Sequence, residues 1–136
     1  MCITNHEGYA DPTATSAIKN TEGDRPMFPF MPIVFICSPF AGDVDGNTAK
    51  ARNYSRFAAD NGYIPFTPHL LFPQFLDDTN PRERDLGLHF GRAFLPKCAE
   101  VWVFGDRITS GMNAEIRQAK RKGKRIRYFT EDLKEV

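Results

Sequence analysis

The amino-acid sequence predicts an α/β domain built around a parallel β-sheet. Three observations carry this. Pro32-Ile33-Val34-Phe35-Ile36-Cys37 is a continuous apolar run, the pattern of a strand buried on both faces. Strand-like and helix-like segments then alternate, which argues for parallel strands joined by right-handed crossovers. Finally, Phe104-Gly105-Asp106-Arg107-Ile108-Thr109-Ser110-Gly111-Met112-Asn113-Ala114-Glu115 reads as the end of a buried strand, a polar glycine-containing loop and the start of a helix. In open sheets of this class, ligands bind where such loops leave the carboxyl ends of the strands.

Residues 1–30 form an N-terminal arm, polar and without a long apolar period, and residues 31–136 form the main domain. Within the arm, Asp11 as N-cap and Pro12 at the first helical position predict a short helix over Pro12 to Asn20, followed by a linker to Pro26. The arm docks either on the domain or on a neighbouring subunit. After the first strand comes the glycine-containing loop from Ser38 to Gly46. Asn47 reads as the cap of a helix whose inward face holds Ala51, Tyr54, Phe57 and Ala58, stopped by Asn61-Gly62. Tyr63 to Thr67 is a second short strand, whose Pro65 is tolerated if the strand lies at the sheet edge.

Pro68 to Asp78 reads as a long loop, too apolar at Leu70, Leu71, Phe72, Phe75 and Leu76 to lie idle in water. It is a lid or pocket wall, with His69 and Asp77 or Asp78 supplying polar groups, or else a subunit interface or a segment folded onto the core. Asn80-Pro81-Arg82-Glu83 combines N-cap, first-position proline and capping-box acid. Its helix runs to about Leu95 with Leu86, Phe90, Ala93 and Phe94 as expected core residues, and His89 reads as a packed or half-exposed residue. Glu100 to Phe104 is the third strand. Ser110 reads as the next N-cap, Met112, Ile116 and Ala119 share one face, Gly123 ends that helix, and Arg125 to Phe129 is the fourth strand.

The 136 residues are 41% hydrophobic and 26% charged with a formal charge of +1, a soluble composition that gives no global argument for a nucleic acid polymer or a membrane surface. No apolar run approaches the roughly 20 residues that span a bilayer. The first residues lack a signal-peptide pattern, so cytoplasmic location is the expectation. Cys2, Cys37 and Cys98 are scattered outside any C-x-x-C spacing and His6, His69 and His89 are equally dispersed, so reduced thiols and no metal site are expected. The basic run from Arg117 to Arg127 reads as a solvated helix end, because cations there complement the helix dipole.

One acid stands out. A step of 100° per residue puts Glu115 at the edge of its helix's apolar face, near the first turn, looking toward the ligand-binding edge of the sheet. The helix dipole there favours its ionised form, as a nucleophile for an electrophilic carbon requires. The alternative is a first-turn acid that only stabilises its helix.

Two groups of residues carry a resemblance. Ile36-Cys37-Ser38-Pro39-Phe40 with its glycine loop, and Val101-Trp102-Val103-Phe104 followed by Ser110-Gly111-Met112-Asn113-Ala114-Glu115-Ile116-Arg117-Gln118-Ala119, resemble the nucleoside 2-deoxyribosyltransferase superfamily. Pro68-His69-Leu70-Leu71-Phe72-Pro73-Gln74-Phe75-Leu76-Asp77-Asp78 and Trp102-Val103-Phe104-Gly105 are similar to an uncharacterised bacterial and phage branch of it. The resemblance covers about residues 31–130. It implies a flavodoxin-like three-layer sandwich, a mainly parallel sheet of four or five strands in the order 2-1-3-4, and a homo-oligomer.

It also implies a nucleoside or nucleotide as the small-molecule partner, no cofactor and no metal. Glu115 would attack the anomeric carbon of the N-glycosidic bond, a retaining displacement through an oxocarbenium-like state. An ungapped count of the family's spacing for the acid assisting the leaving base lands at Gly91-Arg92, so the role falls to Asp85 on the same helix, or to Asp77 or Asp78 from the loop. Ser38, Pro39, Phe40, Gly42, His69, Asp78, Gly105, Ser110, Gly111 and Met112 would hold the substrate. A non-catalytic nucleotide sensor or an oligomeric interaction domain of the same fold is the alternative.

Overall fold

The structure is a computed structural model that describes residues 27–136. The expected helix over Pro12 to Asn20, its linker, Cys2 and His6 lie outside the described residues. Met31–Val136 form one compact unit. Its elements in chain order are β1 (Ile33–Cys37), α1 (Val44–Asp60), β2 (Ile64–Phe66), α2 (Pro68–Leu71), a 3-10 turn (Phe72–Gln74), α3 (Pro81–Phe94), a second 3-10 turn (Leu95–Lys97), β3 (Glu100–Phe104), α4 (Ser110–Arg121) and β4 (Arg125–Phe129).

All three strand pairings are parallel, in the order β2-β1-β3-β4. The register sets Phe35 against Val101 and Cys37 against Val103, so β1 and β3 end side by side at the same edge. Because successive side chains alternate across a strand, each central strand feeds two cores. Val34, Ile36, Trp102 and Phe104 face α1, packing with Tyr54, Ala58 and Phe129. Phe35, Cys37, Val101 and Val103 face the other way, onto Met112, Ile116 and Ala119 of α4 and Leu95 after α3. Three layers follow directly.

The α1 side is held largely by aromatic packing. Tyr54 stacks on Phe104 at 4.2 Å and Phe104 on Phe129 at 5.0 Å, with Phe57 edge-on to both phenylalanines. Such pairs contribute about 0.5–1.5 kcal/mol each beyond the area they bury, and they fix ring orientation as well as distance. β2 takes the edge position that Pro65 requires. The other edge, β4, is covered by the turn after Phe129, with Val136 N–H bonded to Tyr128 O and an antiparallel bridge from Phe129 to Glu135.

Three local expectations are corrected. Asp43, not Asn47, caps α1, accepting from Gly46 N–H. Asn47 is buried, and its Nδ2 donates to the carbonyls of Phe40 (2.9 Å) and Ala41 (3.2 Å). Thr109, not Ser110, caps α4, accepting from Met112 N–H at 3.2 Å. The Pro68 to Asp78 stretch is not a structureless loop, because Pro68 starts α2 and Phe72–Gln74 continue as a 3-10 turn.

The largest correction concerns α3. Leu86 and Phe94 are exposed at 42% and 48%, and Ala93 is exposed too. The face turned inward is instead Gly87, Leu88 and Gly91, continuing to buried Leu95. Two glycines one turn apart let the α2 segment lie close. A Cβ at Gly87 would meet Leu76 at 3.4 Å, and one at Gly91 would meet Pro68 at 3.9 Å. Counting only large apolar residues misreads such a face, since its contacts are made by the neighbour's side chains.

Candidate active site

The carboxyl ends of β1 and β3 open onto a cleft of about 220 Å³ that is partly open to solvent. Three segments build it. The β1 loop supplies Ser38, Phe40 and Ala41, and the β3 loop with the start of α4 supplies Arg107, Thr109, Ser110, Gly111, Met112 and Glu115. The α2 segment leaning on α3 supplies a wall of Pro68, His69, Phe72, Pro73, Leu76 and Asp78 against Glu83, Arg84, Gly87, Leu88 and Gly91. That wall is fastened beneath by aromatic contacts of Phe72 to Phe66, Phe75 and Phe90 at 6.1, 6.1 and 5.4 Å.

Glu115 is half-buried, three residues beyond Met112 and next to buried Ile116. Burial pushes its carboxyl up to about 7, against the pull of a hydrogen bond from Cys37 and the charge of Arg92. The expectation that the helix dipole would keep it ionised therefore meets a stronger opposing effect. Desolvation wins. Cys37 is free, fully buried and pushed well above the usual thiol range, first by burial and then by the Glu115 charge. Its thiol keeps its proton and is a donor, with Met112 O at 3.8 Å and the Glu115 carboxylate beside it.

His69 is held on two sides. Its Nε2 lies 2.9 Å from Ser38 O, and its ring stacks on Phe40 with centroids 4.9 Å apart and planes 23° from parallel. Burial lowers its pKa, while the Ser38 carbonyl and the charge of Asp78 raise it. Asn47 donates to the carbonyls of Phe40 and Ala41, tying the β1 loop to α1 beside His69. Ser38 Oγ is buried with no hydrogen-bond partner on the cavity lining. Such a hydroxyl costs about 1–3 kcal/mol unless something satisfies it.

The other residues singled out from the sequence divide. Phe40, His69, Asp78, Ser110, Gly111 and Met112 line the cavity with Ser38 and Glu115, whereas Pro39, Gly42 and Gly105 shape the loops without lining it. Gly42 and Gly105 have φ of +98° and +99°, conformations in which glycine avoids the Cβ strain of other residues. Asp85 is exposed on α3, away from the lining. Asp77 is exposed as well, and its carboxylate accepts from Thr79 N–H (2.9 Å) and Oγ1 (2.6 Å), which lowers its pKa. The loop acid at the cavity is Asp78.

Arg84 and Arg107 were not expected here. Both line the cavity, and among the described residues neither is in an ion pair. The spacing of Arg84 with Gly87, Leu88 and Gly91, at i, i+3, i+4 and i+7, is the one signal that places it on that face. Nothing local marks Arg107. Among the described residues no three His, Cys, Asp or Glu side chains come together as a metal site.

A parallel 2-1-3-4 sheet with helices on both faces defines an α/β protein of the 2-deoxyribosyltransferase-like fold. Residues 32–129 match the family described as Domain of unknown function (DUF7768), and the chain belongs to that family. Among solved structures it is similar to a 2-deoxyribosyltransferase from the psychrotolerant bacterium Bacillus psychrosaccharolyticus, with a TM-score of 0.60 and 15% identity over 71% of each chain. No curated protein sequence matches it.

Proposed function

We propose that the cavity binds a nucleoside or nucleotide and that Glu115 cleaves its N-glycosidic bond. The observation that carries this reading is the placement of Glu115, a half-buried carboxylate lining the cleft at the carboxyl ends of β1 and β3. The ionised carboxylate attacks the anomeric carbon as the bond to the base nitrogen breaks, and the electron pair leaves with the base. The glycosyl ester is then opened at the same carbon by water or a second base, which restores Glu115. Cys37, protonated beside it, orients the carboxylate and stabilises its charge. Of the three acids considered for assisting the leaving base, Asp78 is the one that lines the cleft and takes that role. The apolar wall of Phe72, Pro73 and Leu76 suits a base, and Arg84 and Arg107 suit a 5′-phosphate where one is present.

The test is mass spectrometry of the protein incubated with ribo- and 2′-deoxynucleosides and nucleotides, with Glu115→Ala alongside. Free base, or a sugar adduct on Glu115, that disappears in the variant supports the reading. An intact nucleotide retained without turnover supports a second reading, a nucleotide sensor. That alternative draws on Asp85 lying outside the cavity and Asp77 being occupied by its own turn. Neither binding nor turnover removes both. A cytoplasmic homo-oligomer acting without cofactor or metal completes the proposal.

A further inference from the structure

The wall residue His69 has a chemical asymmetry that the cleavage step does not use. Its Nε2 is 2.9 Å from a backbone carbonyl, that of Ser38. A carbonyl oxygen only accepts, so Nε2 must carry the proton. In a neutral imidazole the other nitrogen is then a bare acceptor. Burial holds the ring toward that neutral form. Among the described residues no donor is bonded to Nδ1, and the ring lines the cavity. The tautomer is anchored rather than free, because Asn47 pins the loop that bears the Ser38 carbonyl and Phe40 stacks flat on the ring.

Resting on the nucleoside reading above, we propose that His69 selects the base: its Nδ1 accepts a hydrogen bond from an exocyclic amino group, so the substrates are amino-bearing nucleosides rather than their oxo counterparts. An imidazole acceptor bonds in its own ring plane, and the stacked Phe40–His69 pair fixes that plane within the cavity. The neighbouring Phe72, Pro73 and Leu76 give a flat apolar base a surface and offer a sugar's hydroxyls none. An oxo group at the same position would set a lone pair against the Nδ1 lone pair, leaving both buried acceptors unsatisfied.

The experiment compares matched pairs that differ only by amino against oxo, 2′-deoxyadenosine with 2′-deoxyinosine and 2′-deoxycytidine with 2′-deoxyuridine. Turnover and equilibrium binding are measured for the wild type, His69→Phe and His69→Gln. The wild type is expected to favour the amino member of at least one pair by about 10- to 100-fold. His69→Phe retains the ring stack but has no acceptor, and it loses that preference. His69→Gln can donate its amide to Ser38 O and offer its carbonyl oxygen in place of Nδ1, and it restores most of the preference. Circular dichroism melts confirm that each variant is folded, and an unfolded His69→Phe leaves the decision to the wild-type preference and His69→Gln. Equal treatment of both members of each pair, preference for the oxo members, or an unchanged preference in folded His69→Phe overturns the proposal while leaving nucleoside cleavage intact. If no nucleoside or nucleotide is bound or cleaved, the underlying reading fails and the base-selection proposal falls with it.

Discussion

At Glu115 two opposing effects set the charge. Desolvation raises its pKa from 4.5 to about 7, while the Cys37 thiol and Arg92 work against it. A nucleophile must be ionised, so cleavage is expected to increase with pH through about 7 and then level off, which a pH–rate profile of kcat/KM checks. The same shift has a stability consequence. Below pH 4.5 the carboxyl is protonated both folded and unfolded, and it makes no difference. Between 4.5 and about 7 the unfolded chain ionises first, so stability is lost as pH rises, and above that range the penalty is constant. Glu115→Gln removes the charge. It is therefore expected to be inactive but more stable at pH 8, by roughly 1–3 kcal/mol, with the gain vanishing at pH 4. Denaturant titrations at the two pH values test this, and a variant equally stable or less stable at pH 8 contradicts the burial argument.

At the scale of elements, the cavity depends on how closely the α2 segment lies against α3. Gly91→Ala would place its methyl at ordinary contact distance from Pro68, 3.9 Å, so the helix-propensity gain should appear nearly whole. A stabilisation of about 0.5–1 kcal/mol is expected in a thermal melt. Gly87→Val is expected to behave oppositely. Its Cβ already sits 3.4 Å from Leu76, and the two further methyls push the wall, costing about 1–3 kcal/mol and weakening nucleoside binding. Calorimetric titration with the substrate identified above checks the second effect. Thr109→Ala removes the cap of α4 and is expected to cost about 1 kcal/mol, loosening the turn that presents Ser110 and Gly111.

The whole molecule separates a stabilising end from a reactive one. At the amino end of β3, Glu100 accepts from Trp102 Nε1 at 2.8 Å and Tyr63 Oη at 3.1 Å, and it pairs with Arg125 and Arg127. Arg127 also lies over the Trp102 ring at 4.9 Å and pairs with Glu135 at 2.7 Å. The basic run ending in these two arginines is thus partly neutralised by acids from β3 and the final turn. Glu100→Ala leaves a buried indole N–H and a half-buried guanidinium short of partners, and is expected to cost about 2–4 kcal/mol. Because this network lies at the opposite end of the strands from the cavity, kcat/KM of the folded variant should stay at the wild-type value. Leu71, Phe75, Leu86 and Phe94 expose large apolar surfaces on the α2 segment and α3, at 45%, 62%, 42% and 48%. They are where the proposed homo-oligomer is expected to form. Sedimentation equilibrium of Leu86→Glu should then show a smaller species than the wild type.

The local sequence by itself determined the strands, most helix boundaries and the position of Glu115 on α4. Those features follow from period, capping and turn chemistry within a few residues, as the edge strand with Pro65 and the Asn80–Pro81 helix start illustrate. The choice between neighbouring caps, Asp43 over Asn47 and Thr109 over Ser110, turned on backbone geometry that short-range patterns leave open. Only the tertiary structure decided the rest. The rotation of α3, the arrival of Arg84 and Arg107 at one cleft, and the His69 contact with Ser38 each join segments far apart in the chain. The Glu115 charge state belongs with them, because desolvation is set by the walls that fold around a carboxyl and not by its neighbours in sequence.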